Sequence, residues 1–306
     1  MSQQTSLLKF AGPRYWPVWL GLGLARLGSM LPYRLQLAIG TGLGRLMYPL
    51  AGKRARIAKR NIELCFPDMP PDEVAALARD HFKSLGIAIL ETAMCWYAPD
   101  DRLRNFMEVE GAEHLEAALA NGKGAIMLAA HFTTLEMGAR MLSMCTSLQV
   151  MYRRHRNPLF EEIMRRGREQ RAEKAIPRKD VRAMVRSLKN NQPVWYAPDQ
   201  SLGTRFTAIV PFFSEPCVTN TATSRIAKMS GAPVLPFFQE RLPDGRGYRI
   251  IIGEALENFP SGDDAADAVR FNQLIEANVR RVPAQYLWVH RRFKGRGEDY
   301  PDPYAA

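Results

Sequence analysis

From Pro71 onward, apolar and polar positions alternate between two periods. The segment after Pro70-Pro71-Asp72-Glu73 repeats apolar residues at Val74, Leu77, Phe82, Leu85 and Ile89, which predicts a long helix from Pro71 to about Tyr97. Short apolar runs bounded by turn residues predict strands at Phe106–Gly111, Gly124–Ala130, Ser147–Tyr152, Pro193–Pro198, Ala208–Phe213, Pro233–Arg241 and Tyr248–Glu254. Helical periodicity fills most of the gaps: Gly111–Asn121, Leu135–Met144, Pro158–Lys174, Val181–Lys189, Thr221–Met229 and Asp263–Arg281. Strands that are apolar throughout and separated by helices predict an α/β fold, with a mainly parallel central sheet flanked by helices.

The N-terminal 52 residues obey another pattern. Tyr15 to Leu31 carries one charge, Arg26, and places Trp16 and Trp19 beside Tyr15. That run is near the lower length limit for a spanning helix. It reads either as a single tilted span or as one of two amphipathic helices lying in one leaflet, with the aromatic residues at the interface. The segment Lys53 to Arg60 comes next, with cations, apolar residues and no acid. A basic segment directly after an apolar one places the downstream chain on the cytoplasmic side and grips anionic lipid. The chain therefore divides into residues 1–52, a membrane-associated helical segment, and residues 53–306, one catalytic domain.

Charge sharpens this picture. The 306 residues hold 42 Lys+Arg against 31 Asp+Glu, a net +11, so polyanionic partners are expected. A nucleic-acid-binding protein is the rival reading from charge alone, but no recognisable binding module appears. The 4 Cys form no CxxC and lie near no paired His, so neither a disulfide framework nor a metal site is expected.

Candidate chemistry narrows to a few positions. Of the 5 His, His81 and His114 read as surface residues within helices; His155 sits in the basic loop RRHRNP and His290 before Arg291-Arg292. His131 differs: it follows the buried run GAIMLAA at a strand's carboxyl end, where open α/β sheets place their ligand crevice. Glu136 lies five residues on. On one continuous helix the two side chains are about 140° apart, so they meet only if His131 occupies the strand-to-helix turn. Thr133 and Glu136 also match a capping box, so Glu136 reads equally as a helix cap. There is no G-x-S-x-G, Walker A or H-E-x-x-H motif. A His–carboxylate pair without its own nucleophile suits deprotonation of a substrate hydroxyl, which then attacks an activated ester. Arg153, Arg154 and Arg156 follow a strand and suit phosphate or carboxylate groups, or a developing oxyanion. Arg165, Arg166 and Arg168 read as a solvated helix face. Asp199 and Gln200, in APDQ after another strand, are candidates for positioning the acceptor, with Arg205 behind them. Pro233 to Pro236 reads equally as an acyl-pocket wall or as plain strand edge.

The His131-x-x-x-x-Glu136 pair resembles the His-x-x-x-x-Asp/Glu motif of the glycerolipid acyltransferase superfamily. Further stretches narrow the resemblance: RNIELCFP (Arg60–Pro67), ETAMCWYAPD (Glu91–Asp100), VWYAPDQ (Val194–Gln200), MSGAPVLPF (Met229–Phe237) and QYLWVHRRFK (Gln285–Lys294). Together they resemble the lipid A biosynthesis late acyltransferases, lauroyl branch, over nearly the whole chain. That resemblance implies transfer of an acyl chain from an acyl carrier protein thioester to a Kdo-bearing lipid A precursor. It implies no metal and no cofactor beyond that co-substrate, and a place at the cytoplasmic face of a bacterial inner membrane; a monomer is assumed, since the sequence does not give the oligomeric state. Acyl transfer to another glycolipid or glycerolipid, and an inactive membrane scaffold, are the rival readings.

Overall fold

The computed structural model describes residues 6–170, 174–200 and 206–305. The N-terminal region forms three helices, α1 (Trp16–Met30), α2 (Tyr33–Leu50) and α3 (Gly52–Cys65), and the long helix α4 comes after them over Pro71–Tyr97. The body continues α5 (Asp100–Arg104), β1 (Met107–Glu110), α6 (Ala112–Ala120), β2 (Ala125–Leu128), α7 (Leu135–Cys145), β3 (Gln149–Tyr152) and α8 (Pro158–Glu169). Then come β4 (Lys174–Pro177), α9 (Val181–Lys189), β5 (Pro193–Tyr196), β6 (Thr207–Phe212) and β7 (Glu215–Asn220). The last elements are α10 (Ala222–Ser230), β8 (Val234–Arg241), β9 (Tyr248–Ile252) and α11 (Asp264–Arg281).

Seven strands make one sheet in the order β1-β9-β8-β2-β5-β3-β4, in which every pairing is parallel except β8 with β9. The expected mainly parallel sheet flanked by helices is therefore observed. Alternation along β2 explains its uniformly apolar sequence. Ala125, Met127 and Ala129 enter one apolar cluster with residues of α4, α7 and α8. Ile126, Leu128 and Ala130 enter another with residues of α3, α9, α10 and α11. Successive side chains point to opposite faces, so a strand covered on both sides has no polar face to show.

Several expectations need correction. Lys174–Pro177 is strand β4, and α8 ends at Glu169. The run Ala208–Phe213 lies outside the main sheet: among the described residues β6 pairs only with β7, as an antiparallel hairpin. His81 is fully buried rather than on the surface; its Nδ1 donates to the Ala284 carbonyl at 3.2 Å. His114, also expected on the surface, is half-buried with Nδ1 2.8 Å from the Ile252 carbonyl.

Helices α1 and α2 pack on α4, and the α2 contact depends on glycine. A Cβ on Gly86 would lie 2.1 Å from the Gly40 carbonyl oxygen and 2.4 Å from the Gly44 nitrogen, so the two backbones touch directly. Outward, α1 shows Trp16, Leu20, Leu24 and Leu27, and α2 shows Leu35, Ile39, Leu43, Leu46 and Leu50. These spacings draw one apolar stripe along each helix. Among the described residues no helix is long and apolar enough to cross a membrane.

Candidate active site

Strands β2 and β5 are neighbours in register, with Leu128 opposite Tyr196. Three residues beyond each partner stand His131 and Asp199, so the register itself delivers an imidazole and a carboxylate to one point at the sheet's carboxyl end. The Nδ1 of His131 lies 2.5 Å from Asp199 Oδ1, and the His131 backbone N–H donates to Oδ2 at 3.0 Å. An ionised carboxylate only accepts, so Nδ1 carries the hydrogen and the Nε2 lone pair is left for chemistry. Asp199 is 2% exposed. Burial pushes its carboxyl up, but the His131 ring and its two hydrogen bonds outweigh that and hold it below the usual carboxylate range.

The turn carrying His131 is pinned from the C-terminal side. Leu287 N–H donates to the His131 carbonyl at 3.1 Å, and Thr133 N–H donates to the Gln285 carbonyl at 2.7 Å. Phe132 makes a lone antiparallel bridge with Tyr286. The Thr133 hydroxyl bonds Ser84 of α4 at 2.7 Å and does not cap a helix. The N-cap of α7 is Thr134, with no side-chain cap bond, so the capping-box reading fails.

Glu136, in the first turn of α7, bonds Arg168 of α8 through both Nη2 and Nε, the latter at 3.3 Å. Arg168 is therefore not part of a solvated face. Burial works against its charge, but the Glu136 carboxylate more than compensates and keeps the guanidinium firmly protonated. The structure thus pairs His131 with Asp199 and Glu136 with Arg168. A narrow cavity of about 50 Å³ adjoins the second pair, walled by Trp96, Leu135, Ala139, Gly167 and Trp195. Pro233–Pro236 does not line it; β8 there pairs with β2 inside the sheet.

Arg153, Arg154 and Arg156 are exposed in the turn after β3. Gln200 follows Asp199, half-buried. Arg205 lies outside the described residues. Sequence reasoning overlooked Arg292 and gave His290, its neighbour but one, a buried structural role or an anion contact. Arg292 is buried; it donates to the Val218 carbonyl at 3.2 Å and to Asn272 Oδ1 at 2.9 Å, and its charge helps lower the Asp199 pKa. His290 is pushed down to about 4, chiefly by burial. Their signal was the basic segment HRRF near the C-terminus, whose proximity to β5 is purely tertiary.

Comparison with known proteins identifies the family. Residues 4–295 match the family model for bacterial lipid A biosynthesis acyltransferases. The lipid A biosynthesis lauroyltransferase of Escherichia coli (strain K12) is 39% identical over 98% of this chain and 100% of that protein. The palmitoleoyltransferase of the same organism is 38% identical over 94% of each chain. A lipid A biosynthesis acyltransferase of Haemophilus influenzae is 36% identical over 95% of this chain and 94% of its own. The chain belongs to the bacterial lipid A biosynthesis acyltransferase family, whose named members are acyltransferases of lipid A biosynthesis.

Proposed function

We propose that the protein transfers a fatty acyl chain, of the lauroyl type, from an acyl carrier protein thioester to a hydroxyl of a Kdo-bearing lipid A precursor. The observation that carries this reading is the His131–Asp199 pair at the carboxyl end of neighbouring parallel strands. His131 Nε2 takes the proton of the acceptor hydroxyl as its oxygen attacks the thioester carbonyl carbon. Asp199 holds the ring and stabilises the imidazolium that forms. The tetrahedral intermediate collapses with cleavage of the carbon–sulfur bond, and His131 returns the proton to the leaving thiolate. Glu136 and Arg168 form the wall beside the reacting carbonyl, where the guanidinium faces developing negative charge. The acyl chain enters at the cavity bounded by Trp96 and Trp195, which at about 50 Å³ takes only its first carbons before the walls must open.

The apolar stripes of α1 and α2, followed by the basic α3, support docking on an anionic bilayer at the cytoplasmic face of the inner membrane. The protein acts there as a monomer, without metal or further cofactor.

The test uses membranes supplied with carrier-protein thioesters of several lengths and a tetra-acylated Kdo-bearing precursor, read by mass spectrometry. The wild-type protein adds one acyl chain. His131→Ala loses about 10²–10⁴-fold in turnover while remaining folded. Unchanged turnover in that variant, or an acyl group trapped covalently on the protein, overturns the mechanism.

A further inference from the structure

At the carboxyl end of the sheet, the reacting pair stands between two unlike surfaces. On one side, α2 lies against the β1–β9–β8 edge. Tyr33 stacks on Phe106 and Tyr248, and Gly245 in the β8–β9 connection abuts Leu37. The exposed apolar stripe of α2 therefore belongs to that edge.

On the other side, β3 and β4 end in adjacent turns. Tyr152 pairs with Pro177, and Arg178 N–H donates to the Tyr152 carbonyl at 2.8 Å. These turns and the first turn of α9 bring together Arg153, Arg154, Arg156, Arg178, Lys179 and Arg182, all exposed except the half-buried Arg178. The acids among them are already engaged. Asp180 caps α9 through Ala183 N–H at 2.9 Å, and Glu161 accepts from Tyr152 Oη and His155 N–H. None of the six cations has an ion-pair partner among the described residues. Such an uncompensated rim holds a positive potential that attracts an anionic partner from a distance.

We infer that this β3–β4–α9 rim is the docking surface for an acidic carrier protein that presents its acyl thioester on a flexible arm. The inference rests on the donor proposed above and adds where that donor binds. In the strand order, β4 is three positions from β2, roughly 14 Å at ordinary strand spacing. A carrier seated on the rim holds its body clear of the reacting pair and lets a pantetheine-length arm reach His131. The acceptor, anchored in lipid, comes from the apolar α2 edge, so donor and acceptor approach without crossing. A rim that served the lipid phosphates would stand beside the apolar stripe, whereas this one lies at the opposite edge of the sheet.

The experiment measures initial rates with two donors of one acyl length: the carrier-protein thioester and the acyl-pantetheine thioester, which has the arm but no protein. Lys179→Glu and Arg182→Glu are compared with wild type. The expected result is a loss of about tenfold or more in kcat/KM for the carrier donor in each variant. The steep fall of the wild-type rate with added salt flattens in both variants. Acyl-pantetheine turnover and the KM for the lipid acceptor stay unchanged, which also shows that the variants fold. A raised acceptor KM with an unaltered carrier-donor response overturns the inference in favour of a lipid site. A carrier preference that survives intact in both variants refutes the surface alone. A wild-type enzyme with no preference for the carrier-bound donor refutes the donor assignment itself, and this inference with it.

Discussion

The imidazole of His131 and the carboxylate of Asp199 are joined twice, ring nitrogen to Oδ1 at 2.5 Å and backbone N–H to Oδ2 at 3.0 Å. The second bond fixes the carboxylate plane before the ring is added, so the ring's tautomer is set by the strand ends. Asp199→Asn keeps the shape and reverses this logic. Its amide can donate to Nδ1, which moves the ring hydrogen to Nε2 and removes the base. Turnover falls on the order of 10³–10⁴-fold, with the circular dichroism spectrum and urea midpoint little changed. Asp199→Asn with more than a tenth of wild-type turnover shows that the imidazole needs no carboxylate.

Glu136 and Arg168 act as a second, separate unit. Their side chains are 22% and 19% exposed, so each loses part of its hydration and relies on the other. Glu136→Gln and Arg168→Gln each destabilise the fold, and the double variant loses less than their sum. The coupling is roughly 1–3 kcal/mol by double-mutant cycle in urea. Turnover drops in each single variant. The acid limb of the pH–rate profile moves in Asp199→Asn and stays put in Glu136→Gln, because among the described residues Asp199 touches the ring and Glu136 does not. A shift of that limb in Glu136→Gln returns Glu136 to the role of imidazole partner.

His131 was legible because a buried strand run ending in a lone His is a local signal. Its partner was singled out only as a candidate for positioning the acceptor, and nothing local tied it to the imidazole. Asp199 sits in a Pro-Asp turn indistinguishable from ordinary turn chemistry, and only the β2–β5 adjacency gives it a role. Crossover connections set strand order through helix packing far from the strands, and no local pattern encodes it. Arg168 was misread for a related reason. The cations of α8 look alike in sequence, yet Arg165 and Arg166 bond Glu162 on their own helix while Arg168 reaches α7. Strand β4 was hidden because KAIP is short and follows directly on helical periodicity. The amphipathic character of α1 and α2 was visible, but the glycines that seat α2 on α4 carry no pattern until the facing helix is known.

Gly86 makes that seating testable. A methyl at Gly86 meets backbone of α2, which cannot rotate away, so Gly86→Ala forces the helices apart. The expected cost is about 1–3 kcal/mol, as for overpacking elsewhere. Gly42→Ala, on α2 with nothing within 4 Å of the added carbon, is neutral or stabilising by up to about 1 kcal/mol through helix propensity. Urea unfolding in a mild detergent separates the two. Equal stabilities for the pair would show that α2 is not held by this contact.

His81 gives the fold a defined sensitivity to acid. Its ring is fully buried, Nδ1 donates to the Ala284 carbonyl, and Nε2 has no partner among the described residues. Protonation would place a charged N–H where nothing accepts it, and burial accordingly pushes the group down to about 4. The unfolded chain binds a proton near the ordinary histidine value of about 6.5, the folded chain only near 4. Between those values the unfolded state holds more protons, so stability is complete above the upper one and is lost as the pH falls towards the lower one. The loss over that window is roughly 3 kcal/mol for this one group. His81→Asn retains an N–H donor for Ala284 and does not titrate. Its urea midpoint at pH 7 is lower or equal, but the fall between pH 7 and pH 5 is shallower than in wild type; the part that remains comes from groups such as His290, which is also pushed down to about 4. An unchanged fall between those two pH values assigns the acid sensitivity to other groups.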